Sequence, residues 1–295
     1  MNAEDIHSNI FIMQKQYLND SDQKKITASH IALAGVGGIG GYVLESLIRN
    51  DFSNFRISDC DTHEFSNYRQ LYMTLNTVGV SKIEAAIDRI QLINPSCSVA
   101  KYPEGIRPSN AREFCENADA ILQQTDSISA LLVLKYWASK LRLPYLHGSR
   151  KHWLQSCSLT VAFKDYRDSS NAFEYDCKDI SKRYGISENR LKEFFVCIES
   201  EKDNFELEKQ MQHENAAFRR NTLQKFVDEQ DIDAIANFTG GKGNEHMKNV
   251  IDKYPNKFDK LRIAPEQAML MGALVTGAVK DIVLGKEVNT PLVTL

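Results

Sequence analysis

A glycine-rich stretch, Gly35-Val-Gly37-Gly38-Ile-Gly40-Gly41, follows the apolar run His30-Ile-Ala-Leu-Ala34. It opens a helical pattern with Val43, Leu44, Leu47 and Ile48 on one face. This order of strand, glycine turn and helix narrows the possible folds more than any other feature of the chain. Glycines there permit a tight turn and let backbone N–H groups approach phosphate oxygens at a helix N-terminus. Asp59 ends a second short strand, Phe55-Arg-Ile-Ser-Asp59, 24 residues after Gly35. A carboxylate at that point can accept hydrogen bonds from ribose hydroxyls. These residues alone suit an NAD-dependent oxidoreductase or a nucleotide-binding scaffold as well as an ATP-using enzyme.

The rest of the chain extends the same architecture. Ile83, Ala86, Ile87 and Ile90 recur at helical spacing, 98–102 and 118–123 read as strands, and 127–141 reads as a helix. Two further strands are predicted at 143–147 and 159–163. Strands alternating with helices imply βαβ units with right-handed crossovers, hence an α/β fold with a doubly wound, mostly parallel, Rossmann-like sheet. Composition shifts after 164, because residues 165–262 hold 37 of the 75 charged side chains. That segment is predicted to be a helical insertion with solvated faces. The expected organisation is a nucleotide-binding domain over 1–164, the insertion over 165–262, and a C-terminal part, 263–295. In the last of these, an apolar helix from Glu266 to Leu284 returns to the first core.

Charge and cysteine usage exclude several classes. A net charge of −3 and a pI near 6.2 offer no general attraction to nucleic acid or to an anionic membrane. The longest apolar run, from Ala268 to Val279, falls short of the roughly 18–20 residues that cross a bilayer. Met1-Asn-Ala-Glu-Asp-Ile carries no basic segment or signal core, so a cytoplasmic location is expected. The six cysteines, at 60, 97, 115, 157, 177 and 197, include no C-x-x-C pair, and reduced thiols are expected. Cys177 and Cys197, in a polar helical stretch, are the two candidates for reactivity. Thr239-Gly-Gly-Lys-Gly-Asn244 lacks the spacing of a P-loop and reads as a loop.

A second set of residues separates the nucleotide chemistries. Asp59-Cys-Asp61-Thr-His-Glu-Phe-Ser-Asn67-Tyr-Arg69-Gln70, then Val78-Gly-Val-Ser-Lys82, and later Gln124-Thr125-Asp126 follow one another in order. This ordered set resembles the superfamily of ThiF, MoeB and the ubiquitin-activating enzymes, over about residues 20–163 and 265–285. The resemblance implies adenylation of a carboxylate with ATP and Mg²⁺, giving an acyl-adenylate and pyrophosphate. It implies that Arg69 and Lys82 contact phosphates and that Asn67 and Gln70 position them. It also implies that Asp59, with Asp61, serves the ribose end and that Gly35, Gly37, Gly38 and Gly40 cradle the phosphates. Asp126 is the implied magnesium ligand. The chemistry agrees: expelling pyrophosphate builds negative charge that fixed cations and a carboxylate-held metal stabilise.

Four departures from the superfamily pattern shape the expected function. Asn67-Tyr-Arg69-Gln70 is one residue shorter than the usual Asn-x-x-Arg-Gln. The N-terminal arginine that many family dimers insert into the partner's site is missing, since the first arginine is Arg49. Lys15, Lys24, Lys25 or the pair Arg150-Lys151 are the alternative cations. The cysteines of a zinc knuckle are missing, so no structural zinc is expected. A thioester cysteine would have to be Cys177 or Cys197. The chain is thus most similar to the compact branch that tailors ribosomal peptides, such as the microcin C and pantocin A enzymes. Its expected partner is a peptide or small-protein carboxylate, gripped by the helical insertion, with no nucleic acid, no membrane and a homodimeric state. Activation of a sulfur-carrier protein's C-terminus is the first alternative; a tRNA-modifying dehydratase is a second, disfavoured by the acidic balance.

Overall fold

Alternation along the first strand sets up two buried faces. In β1 (His30–Ala34), Ile31 and Leu33 enter one core and Ala32 and Ala34 the other, with all four buried. The structure, a computed structural model, describes residues 9, 11–150, 158–168, 175–228, 265–288 and 293–294. Helix α1 (Asp20–Ala28) precedes β1, and its first turn is capped by the Asn19 side chain accepting from the Asp22 N–H. After β1 come α2 (Gly40–Arg49), β2 (Asn54–Ser58), α3 (Lys82–Ile93), β3 (Ser98–Tyr102), α4 (Pro108–Cys115) and β4 (Ala120–Gln123). Then follow α5 (Ile128–Lys140), β5 (Pro144–Arg150), β6 (Ser158–Asp165), α6 (Cys177–Tyr184), α7 (Glu188–Ser200) and α8 (Phe205–Asp228). The described chain ends with α9 (Pro265–Val283) and the short β7 (Val293–Thr294).

The strands form one sheet in the order β3-β2-β1-β4-β5-β6-β7. The first five are parallel, whereas β6 and β7 are antiparallel. The sequence pattern located the strand at 159–163 but not its direction. Residues 151–157 are too few for a parallel crossover, which takes a dozen or more residues, so β6 returns beside β5. Strand order reverses between β1 and β4, and a crevice opens outside their carboxyl ends at such a switch point.

Helices cover both faces. Residues such as Ile26, Leu44, Leu47, Ile83 and Ile90 from α1 to α3 pack with Met271, Val275 and Val279 of α9 on one side. On the other side lie α4 and α5 with Phe114, Leu132 and Val133. The described part of the charged segment joins this second layer. Ile180, Leu191, Phe194, Phe195, Ile198, Leu207 and Met211 are buried in the same core as α4 and α5. Residues 229–264, with Thr239–Asn244, lie outside the described residues, as do Lys151 and Cys157. Among the described residues, no helix is long and apolar enough to cross a membrane.

Helix α9 approaches α2 at Gly272, where an added Cβ would stand 2.7 Å from the Tyr42 carbonyl oxygen. Gly272→Ala is therefore expected to push the helices apart and lower stability by about 1–3 kcal/mol. Gly277, five residues further along the same helix, has open space around it. Gly277→Ala is expected to raise stability by up to about 1 kcal/mol through helix propensity. Urea midpoints of the two variants check both signs.

Glu45 joins α2 to α3, accepting from Arg49 at 2.7 Å and from Arg89 at 2.9 Å. Burial raises its pKa, but the bonds from Arg89 and Arg49 outweigh burial and hold it below its ordinary value. A lowered carboxylate pKa contributes stability above the ordinary value that is lost as pH falls through the folded one. Glu45→Gln is expected to cost about 1 kcal/mol at pH 7. The gap to wild type should close in acid, and unfolding midpoints measured from pH 7 to pH 3 check it.

Candidate nucleotide site

Backbone approach at the switch point decides which residues can build the site. Gly35 adopts φ +91°, and a Cβ there would lie 2.8 Å from the Gln124 carbonyl carbon and oxygen. A Cβ on Gly40 would lie 1.8 Å from the Gly35 oxygen, so both positions require glycine. The Gly35 N–H donates to the Ser58 carbonyl at 2.6 Å and the Gln124 N–H to the Ala34 carbonyl at 2.7 Å. These bonds draw the ends of β1, β2 and β4 together. Gly37 and Gly38 sit half-buried in the turn itself. At the start of α2 the Gly41 N–H donates to the Gly37 carbonyl at 3.1 Å, and the N-terminal end of the helix favours an anion.

Asp59 anchors the β2 side. Its Oδ2 accepts from the Val36 N–H at 2.9 Å and its Oδ1 from the Asp61 N–H at 3.0 Å. Burial nevertheless pushes its pKa up, against the pull of Lys82 and those two N–H groups. From Asp59 the chain loops out and back onto itself. The His63 N–H donates to Val80, the Gly79 N–H to His63 and the Lys82 N–H to Asp61, at 2.8, 2.8 and 3.0 Å. This closure brings Lys82 beside Asp61, 21 positions earlier in the sequence. The Lys82 Nζ lies 2.6 Å from Asp61 Oδ2, with the lysine side chain 8% exposed and the aspartate 65%. Lys82 is thus a buried cation at the edge of the crevice, not a solvated surface lysine.

Inside the loop, Asn67 spends its side chain on local structure. It ends a single 3-10 turn, Phe65–Asn67, and its Oδ1 accepts from the Glu64 N–H at 3.1 Å. Asn67 thus closes a capping box with Glu64 in the turn just before Arg69 and Gln70. Arg69 is half-buried, with its Nη1 3.4 Å from the Ser66 carbonyl. Gln70 is buried over the glycine turn, its Nε2 3.7 Å from where a Gly37 Cβ would stand. The Gln70 Oε1 has no hydrogen-bond partner. On the β4 side, Ser127 caps α5 by accepting from the Ala130 N–H, which leaves Asp126 exposed at the carboxyl end of its strand.

Two further groups belong to this region. His63 is 1% exposed with neither ring nitrogen partnered, and burial, helped by Lys82, pushes its pKa down. Both side-chain amide atoms of Gln124 are also buried and unpartnered. In sequence His63 lies in a polar run and reads as a surface loop residue; no local signal marks it. By contrast, the reactivity expected of Cys177 and Cys197 meets an unfavourable setting. Both pack against the core of α4 to α8, and burial pushes both thiols up. Lys192 opposes this at Cys177, whereas Glu193, Glu208 and Asp203 reinforce it at Cys197.

A doubly wound sheet with a glycine turn, a carboxylate at the end of β2 and a buried lysine beside its switch point has the architecture of a Rossmann-type nucleotide-binding domain. Residues 12–282 match the ThiF family, and the chain belongs to it. It is 31% identical over 130 residues to the adenylyltransferase and sulfurtransferase MOCS3 of Drosophila virilis, covering 44% of this chain and 29% of that protein. It is 30% identical over 106 residues to the tRNA threonylcarbamoyladenosine dehydratase of Haemophilus influenzae, covering 35% and 41% respectively. The matched part is thus less than half of either relative's length. Among solved structures, E. coli MccB with MccA-N7isoASN superposes with a TM-score of 0.52 at 13% identity, over 89% of this chain and 58% of that one. That likeness is one of fold.

The orphaned Gln70 oxygen yields a prediction independent of any substrate. Replacing an unsatisfied buried amide by a thioether of similar shape removes its desolvation cost. Gln70→Met is expected to stabilise the nucleotide-free protein by about 1 kcal/mol. Urea unfolding without nucleotide checks it.

Proposed function

We infer that the chain is an ATP-dependent adenylyltransferase that activates a carboxylate as its acyl-adenylate and releases pyrophosphate. One observation carries this reading. Segments holding Asp59, Asp61, Asn67, Arg69, Gln70, Lys82 and Asp126, scattered over 68 positions, meet around the glycine turn. They meet through the Asp59 bond to Val36, the Lys82–Asp61 pair, Gln70 over Gly37 and the Gln124-Thr125 backbone against Gly35, and this supports the reading. A nicotinamide site gives Arg69, Lys82 and Asp126 no shared purpose. In the proposed reaction the carboxylate oxygen attacks the α-phosphorus, and the bond to the β-phosphate oxygen breaks. Arg69 and Lys82 would balance the charge gathering on the departing pyrophosphate. For Lys82 this means exchanging Asp61 for a phosphate, two anions competing for one buried amine. Asp59 would hold the ribose through whatever lone pairs Val36 and Asp61 leave open, while Gly35, Gly37, Gly38 and Gly40 admit the phosphates.

Magnesium fits the same edge. Among the described residues no group of three or more His, Cys, Asp or Glu side chains could hold a metal, but magnesium needs only one or two carboxylates plus phosphates and water. Asp126 is exposed and, among the described residues, is paired with no cation. It would hold the ion, which supplies charge neutralisation at the phosphates when bound.

The proposed acyl substrate is a peptide or small-protein carboxyl, in a homodimeric enzyme that matures a ribosomal peptide. The fold likeness to MccB, solved with an MccA peptide, supports the peptide. The likeness to MOCS3, named for adenylyl and sulfur transfer, supports a sulfur-carrier C-terminus as the second reading.

ATP–pyrophosphate exchange with Mg²⁺ tests the reaction. Exchange is expected with acidic or amidated peptides, and Asp126→Ala is expected to lower it by roughly 100-fold or more. A protein ending in Gly-Gly as the sole stimulator would favour the second reading. No exchange with any acceptor, or full exchange in Asp126→Ala, would overturn the mechanism.

A further inference from the structure

The return of the chain from Asp59 to Lys82 puts a buried histidine next to the cation of the crevice. Thr62 stands opposite Ser81 in an antiparallel bridge. The His63 N–H on the Val80 carbonyl and the Lys82 N–H on the Asp61 carbonyl flank that bridge. Opposed residues share a face and successive residues alternate, so Asp61, His63, Val80 and Lys82 lie on one face and Thr62 and Ser81 on the other. His63 and Lys82 are thus diagonal neighbours across the pair, a spacing that rings and long side chains can span. Asp61 is two residues from His63 on the same face, about 7 Å along the strand.

Partners are unevenly shared within this group. Lys82 has the Asp61 carboxylate at 2.6 Å. The His63 main chain is satisfied at both ends, its N–H by Val80 and its carbonyl by the Gly79 N–H. The His63 ring is not: it is buried, and neither nitrogen has a hydrogen-bond partner. Val80, directly opposite, offers none. An apolar side chain would fill the same space without that desolvation cost. Three charged groups surround the ring: Asp61 and Glu64 on its own segment and Lys82 on the facing one. Asp61 is committed to Lys82, and the exposed Glu64 serves the 3-10 turn, where it accepts from the Ser66 hydroxyl at 3.2 Å. Burial first, and then the Lys82 charge, disfavour the imidazolium, so the ring stays neutral near pH 7 in the nucleotide-free protein.

We propose that His63 takes up a proton when a polyphosphate draws Lys82 away from Asp61, and that its imidazolium then replaces Lys82 as the partner of the Asp61 carboxylate. The proton comes from solvent and adds to the free ring nitrogen, and a ring N–H donates to an Asp61 oxygen; no covalent bond between heavy atoms changes. One charge-assisted hydrogen bond gives way to two, Lys82 to phosphate and His63 to Asp61. His63 is a positioning residue in this scheme, because it engages the anion that would otherwise compete for the Lys82 amine. Proton uptake rests on the adenylation reading, since the exchange at Lys82 is what frees Asp61. AMP lacks the β- and γ-phosphates that Lys82 would contact, so it is expected to leave the Lys82–Asp61 pair in place.

The test follows the histidine ring signals of the full chain by NMR as pH is varied, in the free protein, with α,β-methylene ATP and Mg²⁺, and with AMP. The resonance missing in His63→Gln identifies the ring, and in the free protein it is expected to titrate below an ordinary histidine. Saturating α,β-methylene ATP should raise its midpoint by about one pH unit, whereas AMP should leave it in place. By linkage, wild-type affinity for the analogue should be about tenfold higher below both midpoints than above them. His63→Gln should lose that pH dependence, while a side chain with only a packing role would change affinity equally at every pH. Asp61→Asn should shrink the shift, and an undiminished shift overturns Asp61 as the partner. Analogue binding with an unmoved midpoint overturns the proposal and leaves adenylation standing; an equal shift with AMP overturns the exchange at Lys82 as its cause. No binding of the analogue overturns both readings. Should His63→Gln fail to fold, calorimetry of analogue binding to the wild type in two buffers of different ionisation enthalpy measures the proton directly, and no uptake overturns the proposal.

Discussion

The close passage of three main chains at the sheet's switch point is the constraint on which the rest depends. Gly40 stands so near the Gly35 oxygen that a single methyl group would overlap it, and Gly35 meets the Gln124 backbone just as closely. With no side chains between them, the ends of β1, β2 and β4 hydrogen-bond across the turn. That contact aims the N-terminus of α2 at the crevice and holds the Val36 N–H on Asp59. A side chain at Gly35 or Gly40 would push the Gln124 or Gly35 backbone aside and separate the strands.

Around this point the structure accumulates polar groups that do little for the nucleotide-free fold. Lys82 is buried against a mostly exposed Asp61. His63, Gln70 and Gln124 bury donors or acceptors with no partner. Such groups are few in folded proteins, and each raises the free energy of the folded state. Unsatisfied buried groups of this kind beside a glycine turn are what a bound ligand would complete.

The charged segment after β6 shows how composition and packing can diverge. Its helices are rich in charge, yet Phe194, Phe195, Leu191 and Met211 are buried with the residues of α4 and α5. The charges occupy the outer faces, as a surface helix allows. Cys177 and Cys197 follow the apolar side into that core, where burial works against a thiolate.

Much of the fold was legible in sequence, because period and glycine placement act locally. The strand–turn–helix unit at 30–49, the helices near 82–93 and 128–140, and Asp59 at the end of β2 all follow from patterns within a few residues of one another. The ordered Asp59-to-Asp126 set likewise revealed the ThiF family and its candidate site residues. Tertiary structure decided what depends on distant segments. Loop closure from 61–63 to 79–82 buried Lys82 beside Asp61, a pairing across 21 positions that no local pattern records. Asn67 bonds back to the Glu64 N–H in a capping box, a role visible only once the 3-10 turn has formed. Likewise, the antiparallel return of β6 put Lys164 beside Tyr145, and no sequence period records which strand lies next to which. Local pattern specifies which conformation each segment prefers; burial, counter-ions and unsatisfied groups arise only when remote segments meet.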